Sequence, residues 1–375
     1  MSTILIYTSP ARGHLYPIMD VAIGLRDSGH RVVVQTLASE RDVLLTEGIE
    51  HRPISGEIEA LEIHDYLGSN PLKQFQLAMK CWLARAPYEV DDLRRTSTEI
   101  APDLIVVDAN CWGAAAYASA QPKRWAMFLP YSLPVSSPDT PAFGPGFAPP
   151  RHWLDRQRDR LVWGVQNVST RGCIKQLNSL RAELGASPLN NAQDIFLQAD
   201  LLLYLTAEPF EYSRRVWPKN VRAIGPGLWA PPGEIPEWVD DLPRPRVLVS
   251  VSTEFQEDGA IIEAALTGLA DEPGSVIVTT AAVDANAFSA PRDRVRITQF
   301  LPHAQVIPQV DVVVTHGGMG TTQRSLAAGV PVCVVPWGRD QSESARRAVE
   351  CGAGTIVART KLTPDRLRAA VRDAR

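Results

Sequence analysis

An α/β fold of two Rossmann-like halves is predicted from three features of the chain. Short β-branched runs alternate with helix-period segments almost throughout its 375 residues. A proline-dense stretch interrupts that alternation past the middle. Glycine-rich turns stand where expected strands run into expected helices, the arrangement by which parallel sheets bind ligands beyond the carboxyl ends of their strands.

In the first half, strands are expected at Thr3 to Thr8, Arg31 to Thr36, Asp103 to Asp108, Trp125 to Leu129 and Leu201 to Thr206. Between the first two, Leu15, Ile18, Met19, Ala22 and Leu25 recur at helical spacing and Gly29 stands where a C-terminal cap belongs, which makes a βαβ unit. The second half repeats the pattern at Val247 to Val251, Val276 to Thr279, Val295 to Thr298, Val310 to Thr315, Val330 to Val335 and Thr355 to Ala358. The stretch Gly225 to Arg246 holds Pro226, Pro231, Pro232, Pro236, Pro243 and Pro245, a density that excludes a helix or central strand. The expected division is therefore 1–224, a linker at 225–246, and 247–375. Pro130 to Pro150 is too long for an ordinary connection and is either a surface loop or the wall of a binding site.

Bulk properties narrow the function. With 38 Lys and Arg against 42 Asp and Glu, the net charge of −4 offers no global field for nucleic acid or anionic lipid. Cys81, Cys111, Cys173, Cys333 and Cys351 show neither paired nor zinc-type spacing, which fits a reduced, cytoplasmic setting and no metal. No secretory leader or membrane-length apolar run is evident, so a soluble intracellular protein is expected. A homodimer is left open.

Three junctions carry the residue types for chemistry. In Ser9 to Pro17 a strand ends, Gly13 permits a tight turn, and His14 stands at the start of the next helix, as a base or as a capping or packing residue. Asp108 ends another strand on the same edge and either orients the His14 imidazole or caps the helix beginning near Cys111. The third junction is His316-Gly317-Gly318-Met319-Gly320-Thr321-Thr322, where glycines let backbone N–H groups and a helix N-terminus approach a diphosphate. It is followed by Pro336-Trp337-Gly338-Arg339-Asp340-Gln341, whose acid and amide either bind sugar hydroxyls or, for Asp340, cap the next helix.

The string HGGMGTT at 316–322, PxxxDQ at 336–341 and AxxxxxxGxG at 345–354 together resemble the donor signature of family 1 glycosyltransferases. Residues 12–17 and the DLIVVD run at 103–108 resemble that family's acceptor domain, particularly in bacterial enzymes that decorate macrolides, enediynes and other natural products. The resemblance implies a GT-B fold, two Rossmann-like domains facing across a cleft, and inverting transfer without a metal; no DxD motif occurs in the chain. It implies a dTDP- or UDP-sugar as co-substrate, a small hydrophobic aglycone as acceptor, and no other cofactor. It assigns His14 as general base with Asp108 as its partner, His316, Gly318, Gly320 and Thr321 in the loop with Gly317 to the diphosphate, and Asp340 and Gln341, in the loop with Trp337, to the sugar.

The chain departs from the family pattern in three places. Ser252, before Thr253, stands where relatives usually have Gly at the phosphate-side turn; Arg324 stands where many place a Glu for the ribose diol; and the chain stops at Arg375, where relatives continue. A shortened C-terminus is thus expected. Arg324 cannot accept from ribose hydroxyls, which points to dTDP-sugars used at least as well as UDP-sugars, unless Arg324 faces solvent or pairs with an acid. Phe75, Trp82, Tyr131, Phe143 and Trp153 lie in segments expected to line the acceptor half, where they contact an aglycone or simply pack. Two further readings share the architecture: a sugar-nucleotide 2-epimerase, and a nucleotide-sugar-binding protein without catalysis.

Overall fold

A computed structural model describes residues 1–290 and 293–375. Its chain divides into two compact units, one comprising 1–143, 149–207 and 213–227, the other 144–148, 208–212 and 228–375. The strands in chain order are β1 (Thr3–Tyr7), β2 (Arg31–Thr36), β3 (Glu50–Pro53), β4 (Leu104–Asp108), β5 (Trp125–Leu129), β6 (Leu201–Tyr204), β7 (Val221–Ala223), β8 (Arg246–Ser250), β9 (Ser275–Thr279), β10 (Val295–Thr298), β11 (Val312–Thr315), β12 (Val332–Val334) and β13 (Gly354–Ile356). Helices of eight residues or more are α1 (Arg12–Asp27), α2 (Pro71–Ile100), α3 (Trp112–Ser119), α4 (Trp153–Leu184), α5 (Ala260–Gly268), α6 (Met319–Ala327), α7 (Gln341–Glu350) and α8 (Pro364–Ala374).

The first unit holds a parallel sheet ordered β3-β2-β1-β4-β5-β6-β7. The order reverses between β1 and β4, which pair from Ile4 opposite Leu104 to Tyr7 opposite Val107. Such a reversal sends the two following connections to opposite faces and opens a crevice at the strands' carboxyl ends. Leu5, Ile6 and Tyr7 of β1 are fully buried, as a strand covered by helices on both faces must be. Gly29 takes φ +84 just past α1 and donates its N–H to the Arg26 carbonyl at 2.8 Å, the left-handed stop expected of it.

The second unit repeats the design with a parallel sheet ordered β10-β9-β8-β11-β12-β13, reversing between β8 and β11. Its core is built largely from valines, among them Val249, Val278, Val312 and Val314, which keep the β-branched shape that suits a twice-covered sheet.

Sequence and structure differ in particular places. β3 and β7 are edge strands that periodicity did not reveal, because β3 reads Glu-His-Arg-Pro and β7 is only three residues long. The proline-dense stretch contains one helical turn, Trp238–Asp241, between Pro236 and Pro243, and its last residue, Arg246, already begins β8. The first unit runs to Gly227 rather than ending at 224.

Residues 144–148 and 208–212 belong to the second unit because α7 holds them. Buried Glu343 accepts from the N–H groups of Gly144 at 2.8 Å and Gly146 at 3.0 Å. Arg347 lies 4.3 Å over the Tyr212 ring, grips both carboxylate oxygens of Glu211 at 3.0 Å, and reaches Glu343 at 2.9 Å. All three charged side chains are almost wholly out of water. Removing one partner of a buried ion pair strands the other, at a cost of about 3–5 kcal/mol. Glu211→Ala is therefore expected to lower stability by about that much in chemical denaturation, while Glu272→Ala, which breaks an exposed pair with Arg372, shifts it by less than about 1 kcal/mol.

Candidate functional site

In the first unit the sheet reversal brings the loop after β1 to the end of β4. His14, the third residue of α1, points its Nδ1 at Asp108, the last residue of β4, at 2.9 Å from Oδ2 and 3.0 Å from Oδ1. Asp108 has no solvent exposure. Its carboxylate is instead surrounded by donors: the Ser9 N–H at 3.0 Å, the Ser9 hydroxyl at 2.7 Å and the Asn110 N–H at 3.0 Å, besides the imidazole. Burial pushes the Asp108 carboxyl up, but His14 and these donors outweigh it and hold the group below the usual aspartate range. An ionised Asp108 only accepts, so the hydrogen on Nδ1 of His14 is fixed and Nε2 is left as the basic nitrogen.

Asp108 does not cap α3. The cap position is Cys111 with no side-chain capping bond, and the N–H groups of Gly113 and Ala114 go to Glu89 of α2 at 2.8 and 3.4 Å. Gly113 permits this approach, since a Cβ there would lie 1.9 Å from the Ala86 carbonyl oxygen.

The second unit places its loops at its own reversal, beyond β8 and β11. Gly317 has φ +100, and a Cβ on it would come within 2.8 Å of Val334 and 3.1 Å of the Gln341 carbonyl, so only glycine fits. Gly318 occupies the cap position of α6 with no side-chain cap, leaving the first-turn amides of Met319, Gly320 and Thr321 without intrahelical acceptors. A Cβ on Gly318 would stand 2.8 Å from Nε2 of His316, whose ring is buried against it. Burial drives the His316 pKa down to about 4, partly opposed by the Ser250 backbone, so the ring is neutral at physiological pH.

The other two loops of this unit are tied together. Ser252 donates its N–H to Asp258 at 2.8 Å, and its hydroxyl accepts from the Glu254 N–H at 3.2 Å and the Gln256 amide at 2.7 Å. Gln256 accepts in turn from the Gln341 amide at 2.8 Å, and Arg339 pairs with Glu254. Oε1 of Gln341 receives the N–H groups of Trp337 at 2.7 Å and Gly338 at 2.9 Å. Gln341 is thereby the brace of the 336–341 loop, a role its motif position did not reveal. Asp340 sits at the cap position of α7, yet its side chain makes no capping bond there.

The erythromycin biosynthesis protein CIII-like C-terminal domain family matches residues 263–374. A 4'-demethylrebeccamycin synthase from Lentzea aerocolonigenes is 27% identical over 98% of this chain and 90% of its own length. A PGL/p-HBAD biosynthesis glycosyltransferase from Mycobacterium tuberculosis strain H37Ra is 31% identical over 74% of this chain, an alignment spanning 64% of that protein. The calicheamicin glycosyltransferase CalG4 superposes with a TM-score of 0.72 at 20% identity, covering 100% of this chain and 90% of that one. The glycosyltransferase VinC, solved in complex with dTDP, superposes with a TM-score of 0.66 at 21% identity over 99% and 90%. The chain has the GT-B fold and is a glycosyltransferase.

In this glycosyltransferase Nη2 of Arg324 donates to the carbonyls of Leu228 at 3.2 Å and Trp229 at 3.0 Å. Trp337 carries the Arg359 guanidinium 4.1 Å above its ring and is half-buried against the valine core. Thr253 is exposed in the turn after β8. Of the aromatic residues singled out from sequence, Tyr131 is brought to His14, its ring 5.9 Å from the imidazole. Phe75 and Trp82 form a separate cluster with Trp112, at centroid spacings of 6.5 and 5.2 Å, that joins α2 to α3. Phe143 is half-buried and its carbonyl accepts from Gln166 of α4, whereas Trp153 is 67% exposed. Ser9, Asn110, Glu89 and Gln256 carry no motif, and sequence reasoning missed all four. Among the described residues no helix is long and apolar enough to cross a membrane.

Glu89 makes a pH-dependent prediction. Burial raises its pKa to about 8, against the opposing pull of the Gly113 and Ala114 amides and of Arg85, with the Asp108 charge adding to the rise. The unfolded chain titrates near the ordinary glutamate value of about 4.3. A folded pKa above the unfolded one means that Glu89 supports folding at low pH and loses that support as pH rises toward about 8. Glu89→Gln is therefore expected to gain in melting temperature relative to the wild type as pH rises across that window. A constant difference between the two melting curves would remove the assignment.

Proposed function

We propose that this enzyme moves a sugar from a nucleoside diphosphate donor onto a hydroxyl of a small, largely apolar natural-product acceptor, with inversion at the anomeric carbon and no metal step. The observation that carries the reading is the His14–Asp108 pair at the reversal point of the first sheet. An alcohol is a poor nucleophile at neutral pH, and a base that removes its proton during attack contributes about 10²- to 10⁴-fold. Nε2 of His14 takes that proton, and the carboxylate of Asp108 stabilises the imidazolium that results. The acceptor oxygen then bonds to the anomeric carbon as the bond to the diphosphate breaks, which inverts the centre in one displacement.

The departing diphosphate gains negative charge, and the α6 N-terminus with Gly317, Gly318, Gly320 and Thr321 offers amides and the helix dipole to it. His316, neutral and packed on Gly318, shapes that turn without adding charge. Asp340, at the start of α7, and the loop that Gln341 braces are assigned to the sugar. Ser252, Thr253 and Trp337 complete the donor side, and Tyr131 and Phe143 the acceptor side, while Phe75 and Trp82 pack α2 against α3. The base on the acceptor half favours transfer over the epimerase reading.

Arg324 supports dTDP as the donor nucleotide. Its guanidinium has donors only and is engaged on the 228–229 backbone, so it offers no acceptor to a ribose diol, whereas a deoxyribose lacks the 2′-hydroxyl that would need one. VinC was solved with dTDP.

His14→Ala is expected to retain less than about a tenth of the wild-type rate with an alcohol acceptor, given the size of general-base contributions, while donor binding by calorimetry stays at the wild-type value. Retention of the rate would overturn the base assignment. In the same assay dTDP-glucose is expected to match or exceed UDP-glucose in kcat/KM. A UDP preference of about tenfold, equivalent to about 1.4 kcal/mol, would overturn the nucleotide assignment.

A further inference from the structure

The acid–base pair does not account for Asn110. This residue lies two positions after Asp108, in the turn between β4 and α3, and three of its groups are pinned at once. Its N–H donates to Oδ1 of Asp108 at 3.0 Å. Its Oδ1 accepts from the Tyr131 hydroxyl at 2.8 Å. Its Nδ2 lies 3.3 Å from Nε2 of His14, the ring nitrogen that faces away from Asp108.

With Oδ1 of Asn110 turned to the Tyr131 hydroxyl, these contacts assign the hydrogens as follows. Ionised Asp108 accepts, so Nδ1 of His14 carries a hydrogen. The Tyr131 hydroxyl donates to Oδ1 of Asn110, and the amide turns its NH₂ toward the imidazole. An amide NH₂ can only donate, so the Nε2 it faces must present a lone pair, and the ring in this arrangement is neutral. Donation to the neutral form of a base disfavours its protonation, whereas the Asp108 carboxylate favours it. The two residues on either side of the ring therefore pull in opposite directions. The Tyr131 ring, edge-on to Phe196 at 6.4 Å, is itself held in place by packing.

We propose that Asn110, fixed by Tyr131, is a positioning residue that holds His14 as the neutral, Nδ1-protonated tautomer with the Nε2 lone pair aimed at the place where the acceptor hydroxyl arrives. The proposal rests on the reading of His14 as base. It makes a second demand on the acceptor, whose hydroxyl must take over from the Asn110 amide at Nε2. Asp108, from β4, and Tyr131, from the loop after β5, are titratable groups against the ring, and Tyr131 acts through Asn110.

The test is the pH profile of kcat/KM for wild type, Asn110→Ala, Tyr131→Phe and His14→Ala, each with a simple phenol or alcohol and with dinitrophenol, which is already ionised and needs no base. Loss of the donor from Nε2 makes the ring easier to protonate. The acid limb of Asn110→Ala with the neutral acceptor is therefore expected to move to higher pH by about half a unit to one unit, the displacement a lost hydrogen bond of ordinary strength produces. Tyr131→Phe should move it the same way by less, and Asn110→Ala should keep its rate with dinitrophenol. An acid limb at the wild-type pH in both variants, or equal losses with both acceptors at every pH, would assign Asn110 a structural role only and overturn the proposal. His14→Ala separates this from failure of the underlying reading. If it abolishes transfer to the neutral acceptor while the Asn110→Ala limb is unmoved, the base stands and the Asn110 proposal falls; if it keeps the rate, both fall.

Discussion

A carboxylate with no access to water is unfavourable unless the protein itself supplies its hydrogen bonds, and the architecture of the first unit is arranged around meeting that requirement for Asp108. The donors arrive from three directions. Ser9 comes from the turn after β1, His14 from the first turn of α1, and Asn110 from the turn after β4. They converge because β1 and β4 are neighbours in the sheet and the chain reverses between them. Moving either strand by one residue would turn the donors to the other face and leave the charge buried without partners. The same demand explains why α3 is capped by Glu89 from a distant helix: the nearest acid, Asp108, is already committed.

The second unit uses the same topology for the opposite electrostatic purpose. Here the reversal point carries glycines, first-turn amides and a histidine kept neutral by burial. The diphosphate site proposed for this loop needs backbone approach and positive dipoles, and Gly317, where no side chain fits, provides the first. The turn after β8 and the loop after β12 are then joined through Ser252, Gln256 and Gln341. Ser252 takes part through its hydroxyl, so its replacement of the glycine usual in relatives is accommodated by a hydrogen-bond network rather than left as a defect.

Much of this was legible in the sequence because it depends on local signals. β-branched runs and helical spacing marked eleven strands, and His14, Asp108 and the 316–322 and 336–341 loops were marked by residue type at strand ends. What escaped depends on distance along the chain. Glu89 reads as one more acid on a long helix, and only the fold puts it against Gly113, 24 residues on. Segments 144–148 and 208–212 precede the expected linker, yet they pack on α7 through Glu343 and Arg347, nearly 200 and about 136 residues away. β3 escaped because an edge strand paired on one side need not be apolar. Phe75, Trp82 and Tyr131 look alike in sequence as aromatic residues, and the fold separates Phe75 and Trp82, which pack α2 against α3, from Tyr131, which contacts the His14 ring.

The central claim is that buried Asp108 sets the protonation pattern of His14, and ¹⁵N NMR of the His14 imidazole reads this directly. At a pH on the plateau of the rate profile, the account predicts a protonated Nδ1 and an unprotonated Nε2, with this pattern lost in Asp108→Asn. A wild-type ring protonated on Nε2 alone, or one whose tautomer is unchanged in Asp108→Asn, would contradict it.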